Sequence, residues 1–287
     1  MKVQVIRVPY DSGHRNVRMG AGPDHFIQNG AAQLLRSCGY DVDVTCIEAE
    51  TPFRAEIKTA FELCRLLAER VRGAQARGEF PLVLSGNCNS SLGTLGGGDS
   101  SGLGMIWFDA HGDFNNPETL ESSFFDGMGM SIATGHCWRK LARTIPGFNP
   151  LPDSHVVHIG GRDFDQEEWT LLEHSDIQVV TAEVVRQAGV HEALAPALDT
   201  LSARVRKIYL HIDLDVLDPD ETPANEYSLR VPRGMKLEEV EDAILMIGTR
   251  FRIYAGGIAS YDPSYDLDGH TFQAGIRLMK AILAQAA

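Results

Sequence analysis

Two short runs of the sequence, at positions 107–115 and 211–219, concentrate side chains that bind metal ions. They read Trp-Phe-Asp-Ala-His-Gly-Asp-Phe-Asn and His-Ile-Asp-Leu-Asp-Val-Leu-Asp-Pro, and each follows an apolar, strand-like stretch. In extended backbone alternate side chains share one face, so the candidate ligands of each run can point to one place. The candidate ligands are Asp109, His111, Asp113, Asp213 and Asp215.

These side chains indicate a pair of divalent metal ions. Both runs end a predicted buried strand, and in an open α/β sheet ligands bind at the carboxyl ends of the strands. Four aspartates and a histidine that converge there repel one another, and burying several carboxylates together is too costly unless cations neutralise them. A single Asp-x-Asp at a strand end is usually only a turn or a cap, but two such clusters favour a metal site. Oxygen ligands with one imidazole suit manganese or a similar ion better than a structural zinc.

Short apolar runs rich in valine and isoleucine alternate along the chain with amphipathic stretches at helical spacing. Strands that alternate with helices pair in parallel through right-handed crossovers, which predicts an α/β fold. The polar, irregular segment 115–126 is predicted to form a loop over the site, where substrate contacts usually lie. The eight predicted strands are 3–8, 41–47, 81–85, 104–108, 155–160, 177–180, 207–212 and 253–258. The five predicted helices are 56–72, 166–174, 190–205, 237–250 and 271–285.

Composition limits the kinds of protein that this chain can be. Its 287 residues are 44% hydrophobic and contain no linker-like segment, so we expect one domain spanning 1–287. Acidic residues number 39 against 26 basic ones, and the formal net charge of -13 argues against nucleic acid or an anionic membrane as a partner. The first residues do not read as a signal peptide and no run is long enough to span a membrane, so we expect a cytoplasmic protein. The five cysteines show no CxxC spacing, which makes a disulfide framework improbable.

The two runs together resemble the ureohydrolase superfamily of arginase, agmatinase and formiminoglutamase. The motifs Asp-Ala-His-x-Asp at 109–113 and Asp-x-Asp-x-x-Asp-Pro at 213–219 are highly specific in combination, and Val-Pro-Tyr-Asp-Ser-Gly at 8–13 extends the match to the first strand. The resemblance implies a three-layer α/β/α domain with an eight-stranded, mostly parallel sheet. It also implies cleavage of guanidino or related C–N bonds with two manganese ions, and a homo-oligomer, since the family commonly forms trimers or hexamers.

The resemblance also assigns the metal ligands residue by residue. It makes Asp109 and Asp213 the bridging carboxylates. It places Asp113 on one metal, and His111 and Asp215 on the other. The remaining ligand falls on Cys88, in Ser-Gly-Asn-Cys-Asn at 85–89, where most of the family has histidine. A thiolate at Cys88 would bias the site toward softer metals and make it sensitive to oxidation. Alternatively, Cys88 is only a small buried residue and one metal site is lost or weak. A cysteine here resembles the branch of the family that hydrolyses N-hydroxyarginine.

Contacts to an α-amino acid follow from the same resemblance. In arginases an asparagine two positions after the third metal aspartate and a serine farther along the loop hold the α-carboxylate, and Asn115 and Ser122 match these positions. The Arg-Asp-x-Asp run at 162–165 places Asp165 where the family holds the α-amino group. An arginine-like substrate is therefore implied, although Ser122 is equally well interpreted as an ordinary polar residue of the loop.

Two further positions depart from the family pattern. The loop histidine that arginases use for proton transfer is replaced by Asp126, whose ordinary pKa is too low for that task unless its site raises the pKa. The glutamate that grips the guanidinium is replaced by Ser260, in Ser-Tyr-Asp-Pro at 260–263. Asp262 or Asp126 is then the candidate for the missing negative charge, and arginine itself is a doubtful substrate.

The leading hypothesis is a binuclear metallohydrolase that cleaves an arginine-like or N-hydroxyguanidino amino acid and releases urea or hydroxyurea. A hydroxide that bridges the metals would attack the guanidino carbon, and Asp215 would pass a proton to the leaving amine. A first alternative is a catalytically silent member that binds a metabolite or a partner chain, which the changes at Cys88, Asp126 and Ser260 favour and the five retained ligands oppose. A second alternative is hydrolysis of a formimino or amide bond, as in formiminoglutamase.

Overall fold

A computed structural model describes residues 1–98, 101–122, 124–226 and 229–286 of the chain. Its strands are β1 Lys2–Val8, β2 Tyr10–Asp11, β3 His14–Arg15, β4 Asp41–Cys46, β5 Phe80–Ser85, β6 Leu103–Phe108, β7 Val156–Ile159, β8 Gln178–Val180, β9 Lys207–Asp213 and β10 Arg252–Ala259. Eight of them form one sheet in the order β4-β1-β5-β10-β9-β6-β7-β8, and every neighbouring pair is parallel. The short strands β2 and β3 form a separate antiparallel pair.

Helices cover both faces of this sheet. They are α1 Gly22–Gln28, α2 Ala31–Ser37, α3 Glu56–Ala76, α4 Ser91–Gly97, α5 Gly129–Ala133, α6 Arg139–Ala142, α7 Gln166–Glu173, α8 Ala182–Ala188, α9 Val190–Ser202, α10 Leu237–Gly248 and α11 His270–Ala286. Successive residues of β6 alternate between two buried clusters: Met105 and Trp107 pack on the side of α3 and α4, and Ile106 and Phe108 on the side of α9, α10 and α11. The predicted three-layer α/β/α architecture is confirmed.

All eight predicted strands and all five predicted helices are present, and the sheet is wholly parallel rather than mostly so. The prediction did not include the six short helices α1, α2, α4, α5, α6 and α8. Helix α4 shows why, because its sequence Ser-Leu-Gly-Thr-Leu-Gly-Gly is rich in glycine and has poor helical propensity. A Cβ on Gly93 or Gly97 would lie within 2.7 Å of α3 atoms, so the glycines permit close packing of α4 against α3. Tertiary contact, rather than local preference, therefore selects this helix.

The strand order places four functional turns side by side. Strands β5, β10, β9 and β6 are consecutive in the sheet, and their carboxyl ends open on the same edge. Turns from distant parts of the chain thus meet at this edge. Among the described residues, no helix is long and apolar enough to cross a membrane.

Candidate metal centre

The candidate ligands converge at the carboxyl edge of the sheet. Cys88 follows β5, Asp109 follows β6 and Asp213 ends β9. Two groups of three ligand atoms, each within 4.8 Å of one another, are suited to hold a metal ion. The first group is Cys88, Asp109 and Asp113, and the second is Asp109, His111 and Asp215. Because Asp109 belongs to both groups, the two form one continuous centre.

Hydrogen bonds between residues two apart orient the central carboxylates. Asp109 Oδ1 accepts the backbone N–H of His111 at 2.7 Å, and Asp213 Oδ1 accepts that of Asp215 at 2.8 Å. The indole N–H of Trp107 donates to Asp109 Oδ2 at 3.0 Å. Such Asx-type turns join residues that are close in the sequence, so these two bonds to the backbone need no contact with distant parts of the chain.

Cys88 lies at the floor of the centre and is 1% exposed. Its Sγ lies 2.9 Å from Asp213 Oδ2 and 3.5 Å from Ser260 Oγ. Burial and the negative charge of Asp213 raise the pKa of the Cys88 thiol well above its ordinary value. A divalent cation between the sulfur and the carboxylates would act in the opposite direction and favour the thiolate.

Crowding of buried charges shifts the protonation of the whole cluster. Burial and the neighbouring carboxylates raise the pKa of Asp109 to about 6, and they raise the pKa values of Asp113 and Asp213 well above the ordinary range. His111 Nδ1 lies 3.2 Å from Asp215 Oδ2. Burial raises the pKa of Asp215, but the charge and hydrogen bond of His111 outweigh it and bring this pKa down to about 2. For His111, burial lowers the pKa, but the adjacent carboxylates have the larger combined effect and raise it well above its ordinary value.

This donor set fits a pair of divalent ions. The donors are carboxylate oxygens, one imidazole and one thiolate. Within each group they lie up to 4.8 Å apart, which is about twice the roughly 2.0–2.6 Å distance between such an ion and its ligand, so an ion fits between them. Burial and mutual repulsion raise the pKa values of Asp109, Asp113 and Asp213, and a cation pair would relieve both costs by neutralising the carboxylates. Oxygen-rich sites of this kind suit manganese, and the sulfur of Cys88 adds some preference for a softer ion.

A cavity of about 450 Å³ opens above the centre. Among the described residues, its lining contains nine carboxylates and no lysine or arginine. The nine are Asp109, Asp113, Glu121, Asp126, Asp163, Asp165, Glu168, Asp213 and Asp215. Five of them are not among the predicted metal ligands, so the cavity retains negative charge that attracts a cationic molecule.

The predicted α-amino acid contacts lie together at one side of this cavity. The amide of Asn115 donates to Asp165 Oδ2 at 2.9 Å, and Thr119 Oγ1 donates to Asn115 Oδ1 at 2.8 Å. Ser122 also lines the cavity, but it is exposed, and its hydroxyl accepts the backbone N–H of Phe124 at 3.2 Å. The structure thus brings Asn115 and Asp165 into direct contact and places Ser122 at the rim.

Glu168 is a cavity carboxylate that the sequence analysis did not single out. It is 3% exposed, its Oε1 accepts the backbone N–H of Phe114 at 2.8 Å, and burial raises the pKa of Glu168 to about 7. A Cβ at position 112 would lie 2.5 Å from Glu168 Cδ, so Gly112 makes room for this carboxyl. A signal existed in the sequence, because Glu168 is three residues after Asp165, the N-cap residue of α7, and a glutamate at that spacing turns back toward the cap.

Asp126 and Asp262, the two candidates for the missing negative charge, differ in their position relative to the cavity. Asp126 lines the cavity, and its carboxylate accepts the backbone N–H groups of Cys88 at 2.8 Å and Asn89 at 2.7 Å. Burial raises the pKa of Asp126 to about 7, although these two hydrogen bonds act in the opposite direction. Asp262 is not among the described residues that line the cavity. Its Oδ1 instead accepts the backbone N–H of Ser264 at 2.9 Å, because an aspartate before proline caps the turn that follows.

Comparison with known proteins identifies the family. The model of the arginase family matches residues 1–284. The arginase of Bacillus caldovelox is 28% identical over 296 residues, covering 99% of this chain and 98% of that protein, and the arginase of Bacillus subtilis strain 168 is 29% identical with the same coverage. A crystal structure of arginase from Bacillus subtilis subsp. subtilis strain 168 superposes with a TM-score of 0.89 at 27% identity, covering 99% of this chain and 98% of that one. The recognition from motifs is confirmed, and the chain belongs to the arginase family, whose members are metal-dependent amidinohydrolases with a binuclear, typically manganese, centre.

Proposed function

We propose that this member of the arginase family uses two divalent metal ions to hydrolyse a guanidino C–N bond of an arginine-like or N-hydroxyguanidino amino acid. The products are urea or hydroxyurea and the corresponding amine. The observation that carries the proposal is the pair of ligand groups sharing Asp109, at the floor of a cavity lined by nine carboxylates. A guanidinium group, planar and cationic, matches the charge of that cavity.

The proposed ligand set divides between the two ions. Following the family pattern, Cys88 and Asp113 would hold one ion and His111 and Asp215 the other, and Asp109 and Asp213 would be ligands of both. The position of Cys88 Sγ, 2.9 Å from Asp213 Oδ2, supports a metal ligand rather than an unrelated buried cysteine. When bound, the ions supply Lewis acidity, which lowers the pKa of water and neutralises negative charge that develops at the guanidino carbon.

The side chains around the centre then orient the substrate and move a proton. Water adds to the guanidino carbon, the C–N bond to the amine breaks, and the leaving nitrogen gains a proton. Asp215 takes the proton from the attacking water and delivers it to the amine. As a metal ligand His111 would be neutral, so the ion pair that lowers the pKa of Asp215 to about 2 belongs to the metal-free cluster. In the same cavity, Asp165 and Glu168 pair with the α-ammonium group, and Asn115 and Ser122 donate to the α-carboxylate.

A product screen tests this function. Protein purified anaerobically and supplied with Mn²⁺ is incubated with arginine, with N-hydroxyarginine and with a formimino amino acid, and urea, hydroxyurea, ammonia and formamide are measured. Urea or hydroxyurea supports the proposal, and hydroxyurea from N-hydroxyarginine alone assigns the narrower substrate. Ammonia or formamide from the formimino compound would replace the proposal with hydrolysis of that bond. A melting shift with every compound and no product would identify a silent binder.

Metal analysis of the same preparations tests the centre itself. About two divalent ions per chain are expected, falling toward one in Cys88→Ser, because the variant loses one ligand of one site. Little metal in either protein contradicts the binuclear proposal.

We also propose a homo-oligomer, and light scattering of the purified chain measures its mass.

A further inference from the structure

The three positions at which this chain departs from the family pattern occupy one corner of the cavity. Ser260 Oγ lies 3.5 Å from the sulfur of Cys88, and the carboxylate of Asp126 contacts the backbone of Cys88. These residues are 38 or more positions apart in the sequence, so only the fold joins them. The cysteine and the aspartate therefore form one structural unit.

Asp126 binds both N–H groups at the start of the turn that carries the cysteine. Its Oδ2 accepts from Cys88 N at 2.8 Å and its Oδ1 from Asn89 N at 2.7 Å, and its side chain is 4% exposed. Cys88 and Asn89 begin the 3-10 turn that leads into α4, where backbone N–H groups have no acceptor within the helix. A carboxylate offers two oxygens to two such donors, whereas a neutral histidine offers a single acceptor nitrogen.

A short ligand such as cysteine depends on this support. Its side chain has one rotatable bond before the sulfur, so the backbone position of Cys88 determines where Sγ lies. In the structure that position directs Sγ to Asp213 Oδ2 at 2.9 Å, into the centre. A longer imidazole could adjust two torsions to reach a metal, but a thiol cannot compensate for a displaced turn.

We infer that Asp126 is a positioning residue that holds the Cys88 sulfur in the metal centre, in place of the proton-transfer role of the family histidine. The inference rests on the proposed metal pair with Cys88 as a ligand. Asp126 acts through the backbone of Cys88, and its removal lets the turn shift and withdraws the sulfur from the metal.

Cobalt substitution tests the inference by a signal that comes only from the sulfur. The full chain is loaded anaerobically with Co²⁺, and the near-ultraviolet thiolate-to-cobalt absorption and the Co²⁺ affinity are measured for wild type, Asp126→Asn and Glu121→Gln. Asparagine keeps one oxygen that can accept from one of the two backbone N–H groups of Cys88 and Asn89. Its NH₂ group cannot accept a hydrogen bond from the other. Glu121→Gln removes one charge from the exposed rim of the same cavity without contact with Cys88.

The expected result is a weakened thiolate band and an affinity about 10–100-fold lower in Asp126→Asn, with both unchanged in Glu121→Gln. A wild-type band and affinity in Asp126→Asn, even with reduced turnover, would overturn the inference and return Asp126 to proton transfer. A wild-type protein that binds Co²⁺ without the band would show that Cys88 is no ligand, which overturns the ligand set as well. If Asp126→Asn does not fold, Asp126→Ser, with one acceptor oxygen and no charge, replaces it in the same comparison.

Discussion

Asp109 and Asp213 have to serve two kinds of partner at once. One carboxylate oxygen of each accepts a hydrogen bond from the backbone N–H two residues later. The other oxygen of Asp213 accepts a hydrogen bond from the thiol of Cys88 in the centre. The first set of bonds is local and the second is tertiary. Substitutions that preserve the local bond therefore isolate the contribution of the carboxylate charge.

Asp213→Asn should lower kcat by at least about a hundredfold. The amide keeps an oxygen for the N–H of Asp215 but loses the negative charge proposed to hold both ions, so the metal content should also fall. Steady-state turnover and elemental analysis measure the two effects. Asp220→Asn, which removes an exposed carboxylate that lies in the turn after β9 and does not line the cavity, is the matched control and should keep both. Wild-type turnover in Asp213→Asn would rule out the proposed role.

Glu168→Gln should raise KM about tenfold for a substrate with an α-amino group and leave kcat within about twofold, because it removes uniform binding. The pKa of Glu168 is raised to about 7 by burial, so the carboxylate forms, and wild-type KM falls, as pH rises from 6 to 8. This pH dependence should shrink in the variant.

The neighbouring Glu167→Gln serves as the control for Glu168→Gln, since Glu167 is exposed on the same helix. A guanidino acid without the α-amino group provides a second comparison and should show equal KM values in wild type and Glu168→Gln. An unchanged KM for the amino acid in Glu168→Gln would exclude this contact.

At the scale of elements, a single arginine ties together the turns that follow β7 and β9. The guanidinium of Arg162 is largely buried, and it donates to backbone carbonyls on three segments of the chain. Its acceptors are the carbonyl oxygens of Gly160, Asp215, Val216, Leu217 and Val231, at 2.8–3.3 Å. Since Asp215 is a candidate ligand, this arrangement connects the stability of the turns to the geometry of the centre.

Arg162→Lys should destabilise the chain by about 1–3 kcal/mol. Lysine keeps the charge but cannot reproduce the planar fork of N–H groups, so buried carbonyls lose their donors. The melting temperature should fall by several degrees in a thermal unfolding experiment. Arg186→Lys, on α8, is the control, because its ion pair with Glu183 is solvent-exposed and worth little. Equal melting temperatures for the two variants would contradict the role of Arg162.

At the scale of the whole molecule, the carboxylate cluster makes stability depend on pH and on metal. In the metal-free chain the pKa of Asp109 is raised to about 6, and those of Asp126 and Glu168 to about 7, chiefly by burial. The folded chain therefore holds these protons more tightly than the unfolded chain. Their stabilising effect is complete below pH about 4 and is lost as pH rises through about 6–7. Metal binding requires the ionised form of Asp109, which is the proposed ligand among the three, and so acts in the opposite direction.

The gain in melting temperature on adding Mn²⁺ should consequently be larger at pH 8 than at pH 6. Differential scanning fluorimetry of chelator-treated protein, with and without Mn²⁺, measures the gain at each pH. The metal-free protein should itself melt at a lower temperature at pH 8 than at pH 6. An equal gain at both pH values would show that Asp109 does not lose a proton when metal binds.

The sequence by itself determined the sheet and most of the candidate ligands. The strands are short, buried runs of branched side chains, a pattern strong enough to locate all eight. Asp109, His111 and Asp113, like Asp213 and Asp215, are spaced at two residues, but the expected extended backbone is not what brings them together, because Asp113 has a φ of 48° and Asp215 lies in a 3-10 turn. The strand predictions succeeded because they depend on interactions within a few residues of the chain, whereas the ligand assignments stay a prediction.

Only the tertiary structure decided which distant turns meet. It joined Asp126 to the backbone of Cys88, buried Glu168 beside Gly112 and turned Asp262 away from the cavity onto its own turn. It also selected the glycine-rich helix α4 through its packing against α3. The physical reason is that such contacts depend on the order of strands in the sheet and on the space between packed elements. The local spacing of residues and their helix or strand propensity predict neither the strand order nor this space.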